Sequence, residues 1–473
     1  MTQTRPVVRT STRSPAPSLA RERLDALLDP GWEPLPTPRG GPVLTGVGRV
    51  HGTPTAAFAT DPAVKGGALG SEAGEAVEET YRVALGRGLP VVGLWHSAGA
   101  RIDQGVRSLD AMGRIFHTIT SASGRVPQVS VVLGPAAGAA AYGPALTDVV
   151  VMAPEGRVFV TGPDVVRMVT GEDVGMEDLG GPALHAKESG VCHVAADSAH
   201  EALITTRTLV DLLARGGVAT EVDDRRDLGA HLPLGRRRAY DMGPLVHDLL
   251  DVPGVELHRS WAPNVLTVLG RLGGRSIGVV ANNPLRLGGC LDSRSAEKAA
   301  RFVRMCDAFG LPLVSLVDVP GYLPGLRQES EGVVRRGAKL LHAFAGCSVP
   351  RASVIVRRAY GGAYIAMSAR SLGSECTLAW PDAEVAVMGP EAAVRIVHRR
   401  ALDLTETEQE RRVLEEELLA DQRAATTIQA AVEHGVVQRV VEPVHTRHEL
   451  SRWLGRHDVG ASEVRGRRDN TPL

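Results

Sequence analysis

Two short stretches carry residue types from which a charge-stabilising site can be built. Gly134–Tyr142 reads GPAAGAAAY, and Arg357–Ala366 reads RRAYGGAYIA. Each follows a Val/Ile-rich run and opens a run able to form a helix. Small residues let a backbone come close to a ligand. The first amides of a helix lack partners inside it and point outward, and the macrodipole adds partial positive charge at that end. Two such amides can hold a developing oxyanion, and losing one donor of such a pair costs on the order of 10²–10³ in rate. A thioester carbonyl on its way to an enolate needs this support. A single turn of this kind reads more simply as tight helix–strand packing. Two equivalent turns in one chain favour paired sites.

Other chemistry is sparse. There is no G-x-x-x-x-G-K-[ST], no G-x-S-x-G and no H-E-x-x-H. The fifteen histidines show no metal-ligand spacing, so no metal is expected. His96, in WHSAGAR, is the histidine to watch because it sits beside a glycine loop, although a structural role is the simpler reading. Asp318, at the end of VSLVD, could act as an acid or base, but a strand-end Asp more simply caps the next loop. A formal net charge of −1 gives no bulk basic field for nucleic acid. Only four of the 53 cations are lysines, a skew that reads as genomic base composition. The five cysteines include no C-x-x-C, so reduced thiols in a cytoplasm are expected. No run of about 18 apolar residues predicts a membrane span. Residues 1–20 read as a flexible Arg/Ser/Thr/Pro-rich tail rather than a signal peptide.

The elements that must position the two turns repeat along the chain. At 473 residues, two or three domains are allowed. In the first half PVVGLWHSAGARIDQGV (90–106) is a strand running into a glycine loop, and QVSVVLGPAAGAAAYGPALTDVVVM (128–152) is strand, turn, helix, strand. In the second half PLVSLVDVPGYLPG (312–325) and RASVIVRRAYGGAYIAMSARSL (351–372) match them. FVTGPDVVRMV (159–169) returns as AVMGPEAAVRI (386–396). Gly99 and Gly321 are 222 residues apart, Gly138 and Gly362 are 224, and Gly162 and Gly389 are 227. Landmarks in one order at nearly one offset predict a duplicated domain. Strand-like and helix-like segments alternate, so the class is α/β. The expected layout is a tail over 1–20, a first domain over 21–219, a linker over 220–240 and a second domain over 241–473. A long amphipathic helix is expected over 405–435, opened by a Thr405/Glu408 capping box and closed at Gly435.

With these residues in view, the chain resembles the carboxyltransferase (β) subunit of biotin-dependent acyl-CoA carboxylases, of the propionyl-CoA carboxylase type. The match runs from ARERLDALLDPG (20–31) to NTPL at 470–473. Its specific parts are PALTDVVVM, FVTGPDVV, LDSRSAEKAARFVRMCDAFGLPL, VDVPGYLPG, RRGAKLLHA and RAYGGAY. The resemblance implies two tandem crotonase-like domains, each supplying one oxyanion hole. It implies a homo-oligomer, a hexamer built as a trimer of dimers, whose site lies between the first domain of one subunit and the second domain of its partner.

Carried over by motif, the N–H groups of Gly138 and Ala139 would hold the biotin ureido oxygen. Those of Gly362 and Ala363 would hold the acyl-CoA carbonyl. Ala98, Gly99, Ala100, Arg101, Tyr142, Tyr364 and Ile365 would line the substrates. The implied reaction needs no side-chain base: N-carboxybiotin releases CO₂, its freed nitrogen takes the acyl α-proton, and the enolate attacks CO₂. Biotin would arrive on a separate biotin carboxylase/biotin carrier (α) subunit, since no ATP-binding region and no Ala-Met-Lys-Met site is found here. The reverse half-reaction of a decarboxylase or transcarboxylase is an alternative, and so is a non-catalytic β-like subunit. Four departures stand out: His96 replaces the family's Asp, Asp103-Gln104 replaces a Gln/Glu pair, Ala139 replaces a Gly, and Ile365 replaces an Asp in the position that tunes acyl-chain choice. Alanine at 139 keeps its N–H but costs on the order of 1 kcal/mol if that position needs φ > 0.

Overall fold

Near-continuous runs of Val, Ile, Leu and Ala, such as LVSLVDV over 313–319, suit strands buried on both faces of a parallel sheet. In the computed structural model they form two such sheets. The structure describes residues 18–38, 40–235, 238–457 and 470–472. The first sheet holds β1 (Glu33–Pro34), β2 (Val43–Val50), β3 (Thr53–Thr60), β4 (Val91–Ser97), β5 (Gln128–Ala137), β6 (Val149–Met152), β7 (Arg157–Phe159) and β8 (Val194–Ala195). The second holds β9 (Val255–Leu257), β10 (Val265–Leu272), β11 (Arg275–Asn282), β12 (Leu313–Val319), β13 (Arg351–Tyr360), β14 (Cys376–Ala379), β15 (Glu384–Ala386) and β16 (Arg439–Val440).

The two sheets have one topology. Their orders are β1-β2-β3-β4-β5-β6-β8 and β9-β10-β11-β12-β13-β14-β16, with β7 paired to β5 and β15 to β13. Each opens with antiparallel strands and continues in parallel from β3 or β11 onward. The irregularities repeat as well. The register slips between Trp95 and Ser97 and again between Val317 and Val319. Isolated bridges join Leu69 to Ala100 and Leu291 to Tyr322. A glutamine side chain caps the helix after each bridge: Gln104 Oε1 accepts from the Ser71 N–H at 2.8 Å, and Gln328 Oε1 from the Ser293 N–H at 3.0 Å. Duplication is thus written in the hydrogen bonds.

One core runs through both repeats. Helix Ala199–Ala214 is started by Ser198, whose side chain accepts from the Glu201 N–H, and it buries Leu203, Leu209, Val210, Leu212 and Leu213. It packs against β5 and β6 on one side and β9 and β10 on the other. Polar groups close the seam beside it. Arg301 donates to the carbonyls of Asp148 and Thr147, both at 2.9 Å, and meets His193 Nε2 at 2.7 Å. Asn470 Nδ2 donates to Asp148 Oδ1 at 2.9 Å, its N–H to Ser123 Oγ at 3.0 Å, and Arg304 reaches Thr471 at 2.9 Å. Lys298 donates to the carbonyls of His258, Trp261 and Ala262 at 2.9–3.3 Å.

Three expectations are corrected. Helix Leu19–Leu27, capped by Ser18, takes up the last residues of the stretch read as a tail; residues 1–17 lie outside the described residues. The capping box is Thr407/Glu410, two residues later than expected, because Thr405 donates instead to Leu402 O at the end of the preceding helix. The long helix ends at Ala425; Thr427 stands at the N-cap position of a second helix, Ile428–Glu433, without a side-chain bond to it, and Gly435 (φ +69°) follows that one. Among the described residues, no helix is long and apolar enough to cross a membrane, and no group of three or more His, Cys, Asp or Glu could hold a metal.

Candidate active site

Both glycine-rich turns stand where a long parallel strand passes into a short helix. β5 ends at Ala137 and helix Ala139–Ala145 follows; β13 ends at Tyr360 and helix Gly361–Ala366 follows. Just before each turn the strand pairs with its short neighbour, Ala137 with Phe159 and Tyr360 with Ala386. The residue that turns the chain has a positive φ in each: Gly138 at +58° and Gly361 at +60°. A Cβ on Gly361 would lie 2.9 Å from the Val387 carbonyl, and one on Gly138 3.7 Å from that of Val160. Gly138 therefore corresponds to Gly361, not Gly362. Ala139 then matches Gly362, Ala140 matches Ala363, Ala141 matches Tyr364, and Tyr142 matches Ile365.

This register decides which amides are available. The Gly138 N–H, expected to meet a ligand, donates to Phe159 O at 3.0 Å. That expectation is corrected: its donor is spent holding the turn to β7. Among the described residues, the N–H groups of Ala139, Ala140, Gly362 and Ala363 have no acceptor. Each half so presents two adjacent free donors at a helix start, suited to a carbonyl or enolate oxygen. Ala139 has no positive φ, so the strain considered for alanine there does not arise. Nothing lies within 4 Å of a Cβ placed on Gly362, in keeping with alanine at the matching position 139. Ala140 was not singled out because Gly138 was paired with Gly362, the second glycine of the second turn, rather than with Gly361. Both turns read Ala-x-Gly-x-Ala, and that pattern carries the correct alignment.

The loop Ala98–Arg101 lies against the first turn. Gly99 has φ +105°, and a Cβ there would come within 2.9 Å of Ala137 O. Three of the loop's N–H groups are used: that of Ala98 goes to Gly66 O, that of Gly99 to Ser97 Oγ and that of Arg101 to Leu69 O. The Arg101 guanidinium pairs with Asp103 at 2.7 Å and Glu72 at 3.7 Å. Asp103 also holds Lys65, and its hydrogen bonds to Arg101 and Lys65 keep its carboxyl well below the usual range. This loop is thus a brace for the turn.

His96 packs its ring over Gly134, and its Nδ1 meets Arg23 Nη2 at 3.2 Å. Burial, then the Arg23 charge, hold the imidazole below its usual range. The matching residue in the second half is Asp318, which caps no loop. It is fully buried and takes Arg357 Nε at 2.9 Å and Arg358 Nε at 2.8 Å. Arg357 donates onward to Arg238 O at 2.9 Å and lies over the Tyr240 ring, so the end of the 220–240 segment backs the second turn. The Tyr360 hydroxyl donates to Glu384; burial and this bond raise its pKa. Sequence reading missed this clamp, since no local spacing tells which arginine a strand-end Asp will hold.

Tyr142 and Ile365 are large and exposed, at 48% and 42%, whereas Tyr364 is buried with its hydroxyl unpartnered. Comparison with known proteins sets this geometry in context. The carboxyl transferase domain model matches residues 19–456. The biotin-dependent acetyl-/propionyl-coenzyme A carboxylase beta6 subunit of Mycobacterium tuberculosis is 55% identical over 91% of each chain. The propionyl-CoA carboxylase beta chain of Rhodococcus erythropolis is 50% identical over the whole of both. Transcarboxylase 12S, solved as a hexamer with methylmalonyl-coenzyme A and methylmalonic acid bound, matches with a TM-score of 0.88 and 35% identity, covering 95% of this chain and 92% of that one.

Proposed function

The chain belongs to the carboxyl transferase domain family, and on that ground we propose that it is the carboxyltransferase (β) subunit of a biotin-dependent acyl-CoA carboxylase. It moves a carboxyl group from N-carboxybiotin to the α-carbon of an acyl-CoA, giving a 2-carboxyacyl-CoA. The observation that carries this reading is the repeated turn with its two unpaired donors. In this reading the amides of Ala139 and Ala140 serve the ureido oxygen of biotin. Those of Gly362 and Ala363 serve the thioester carbonyl.

Biotin, brought on a separate α subunit, supplies the CO₂ and the nitrogen that takes the α-proton. The chain's own contribution is electrostatic. Its donors are already oriented by the φ of Gly138 and Gly361, so they meet developing charge without reorganising. No base is asked of a side chain. The carboxylates behind the second turn, Asp318 and Glu384, are held by Arg357, Arg358 and Tyr360.

Apolar residues stand exposed in both halves: Val106 and Leu109 in the first, Leu326 and Val334 in the second, with Met168 and Val397 on the matching Gly-Pro helices. A second copy covering these faces would set the first turn of one subunit opposite the second turn of the other, and three such pairs would make a hexamer. The same turns serve the reverse half-reaction, to which the likeness to transcarboxylase 12S lends support. A silent subunit is opposed by four free amides that no packing role uses.

The test mixes the purified chain with free biotin and a panel of 2-carboxyacyl-CoAs, from malonyl- and methylmalonyl-CoA upward. Biotin-dependent release of the decarboxylated acyl-CoA is expected. No release with any member of the panel would end the reading.

A further inference from the structure

The corrected register pairs two residues that the sequence left unrelated. Tyr142 and Ile365 each stand three residues beyond the first free amide, Ala139 or Gly362. Side chains of a helix lean toward its N-terminus and cover the turn before their own Cα. Both therefore overhang the side of the helix where the donors emerge. The rest of helix Ala139–Ala145 is small because it is pressed on Trp95: a Cβ on Gly143 would lie 2.5 Å from that ring. Tyr142 is its one large side chain, steadied by an edge contact with Phe116 at 6.1 Å between centroids. About half of its surface, 48%, is left exposed.

The two donor pairs are chemically alike, and either could hold either carbonyl oxygen. What differs is the overhanging side chain. We propose that Tyr142 is the selectivity residue of the first site, offering a flat aromatic face to the planar ureido ring of biotin, as the counterpart of Ile365, whose position the family resemblance already ties to acyl-chain choice. Each residue so keeps the other's ligand out. The inference rests on the carboxyltransferase reading and deepens it.

The experiment is biotin-dependent decarboxylation by the full chain, with KM measured separately for free biotin and for the acyl-CoA. Tyr142→Ala and Tyr142→Ile are expected to raise KM for biotin about tenfold, the scale of losing one ring-stacking contact. KM for the acyl-CoA should stay within about twofold. Tyr142→Phe, which keeps the face, should stay near wild type. Ile365→Tyr should do the reverse, raising the acyl-CoA KM and sparing biotin. An unchanged biotin KM in Tyr142→Ala, or an equal rise for both ligands, overturns the proposal. So does a Tyr142→Phe variant as weak as Tyr142→Ala. The side chain is half exposed, so its loss should leave folding intact; circular dichroism and the melting curve check this, and Phe116→Leu, which loosens the support without touching Tyr142, should give a smaller biotin effect. Wild-type chain without any biotin stimulation would instead refute the underlying activity.

Discussion

Replacing Ala139 by proline separates catalysis from stability. Ala139 is the first residue of its helix, where proline's fixed φ is already suited and its missing N–H is normally an orphan. That N–H has no acceptor within the fold, so its removal breaks no internal hydrogen bond. Gly138, with φ +58° and ψ −128°, is outside the α region and has no Cβ to meet the proline ring. Folding should be unchanged, or gain roughly 0.4–1 kcal/mol from a stiffer unfolded chain. The turn would nevertheless lose one of two donors, a loss of about 2.7–4 kcal/mol in transition-state stabilisation, or on the order of 10²–10³ in kcat. The assay is biotin-dependent acyl-CoA decarboxylation beside a thermal melt of the same preparation. Gly362→Pro should behave alike at the matching position. Gly362→Ala, which keeps the N–H and enters open space, should stay near wild type. A kcat for Ala139→Pro within a few-fold of wild type would refute the assignment of this donor. A large fall in Tm alongside kcat would refute the claim that the amide is structurally idle.

Ile365→Asp should shift the preference among acetyl-, propionyl- and longer acyl-CoAs by about tenfold, since it places a charge where an acyl chain would lie; an unchanged ranking of kcat/KM counts against it. Asp318→Asn removes the carboxylate that grips Arg357 and Arg358 and should cost about 3 kcal/mol, read as a lower denaturation midpoint at constant slope. The seam should be acid-sensitive. Burial, then neighbouring charge from His258 and Arg301 or from Lys298 and Arg301, holds His193 and His258 far below the usual imidazole range. The unfolded chain therefore binds protons below about pH 6.5 that the folded chain refuses, so stability falls from pH 7 to pH 5. Asp148 works against this: burial lifts its folded pKa to about 6, so it gains a proton in the fold first and offsets part of the loss. A Tm that is flat or rising from pH 7 to pH 5 would contradict the scheme.

The duplication was legible because periodic strands and Gly-Pro turns leave local marks. The turns themselves were legible for the same reason. The offset of 224 failed by one residue because it was anchored on Gly362 rather than on Gly361, the glycine whose φ bends the chain. The run Thr405-Glu406-Thr407-Glu408-Gln409-Glu410 contains two overlapping capping patterns, and only the helix before it, which takes Thr405, decides between them. The hold of Asp318 on two arginines and the reach of Arg301 across the molecule left no trace, since partners tens or hundreds of residues apart have no spacing to recognise.

Arg301 is a buried cation whose two Nη groups donate to carbonyls of the opposite repeat, while its Nε has no partner. Prising the repeats apart would break these hydrogen bonds and open the apolar core that both repeats share. The two repeats are thereby tied to one another along this seam. Within one copy, the separation of the two glycine-rich turns is therefore set when the chain folds, and a neighbour that docks later meets it already fixed.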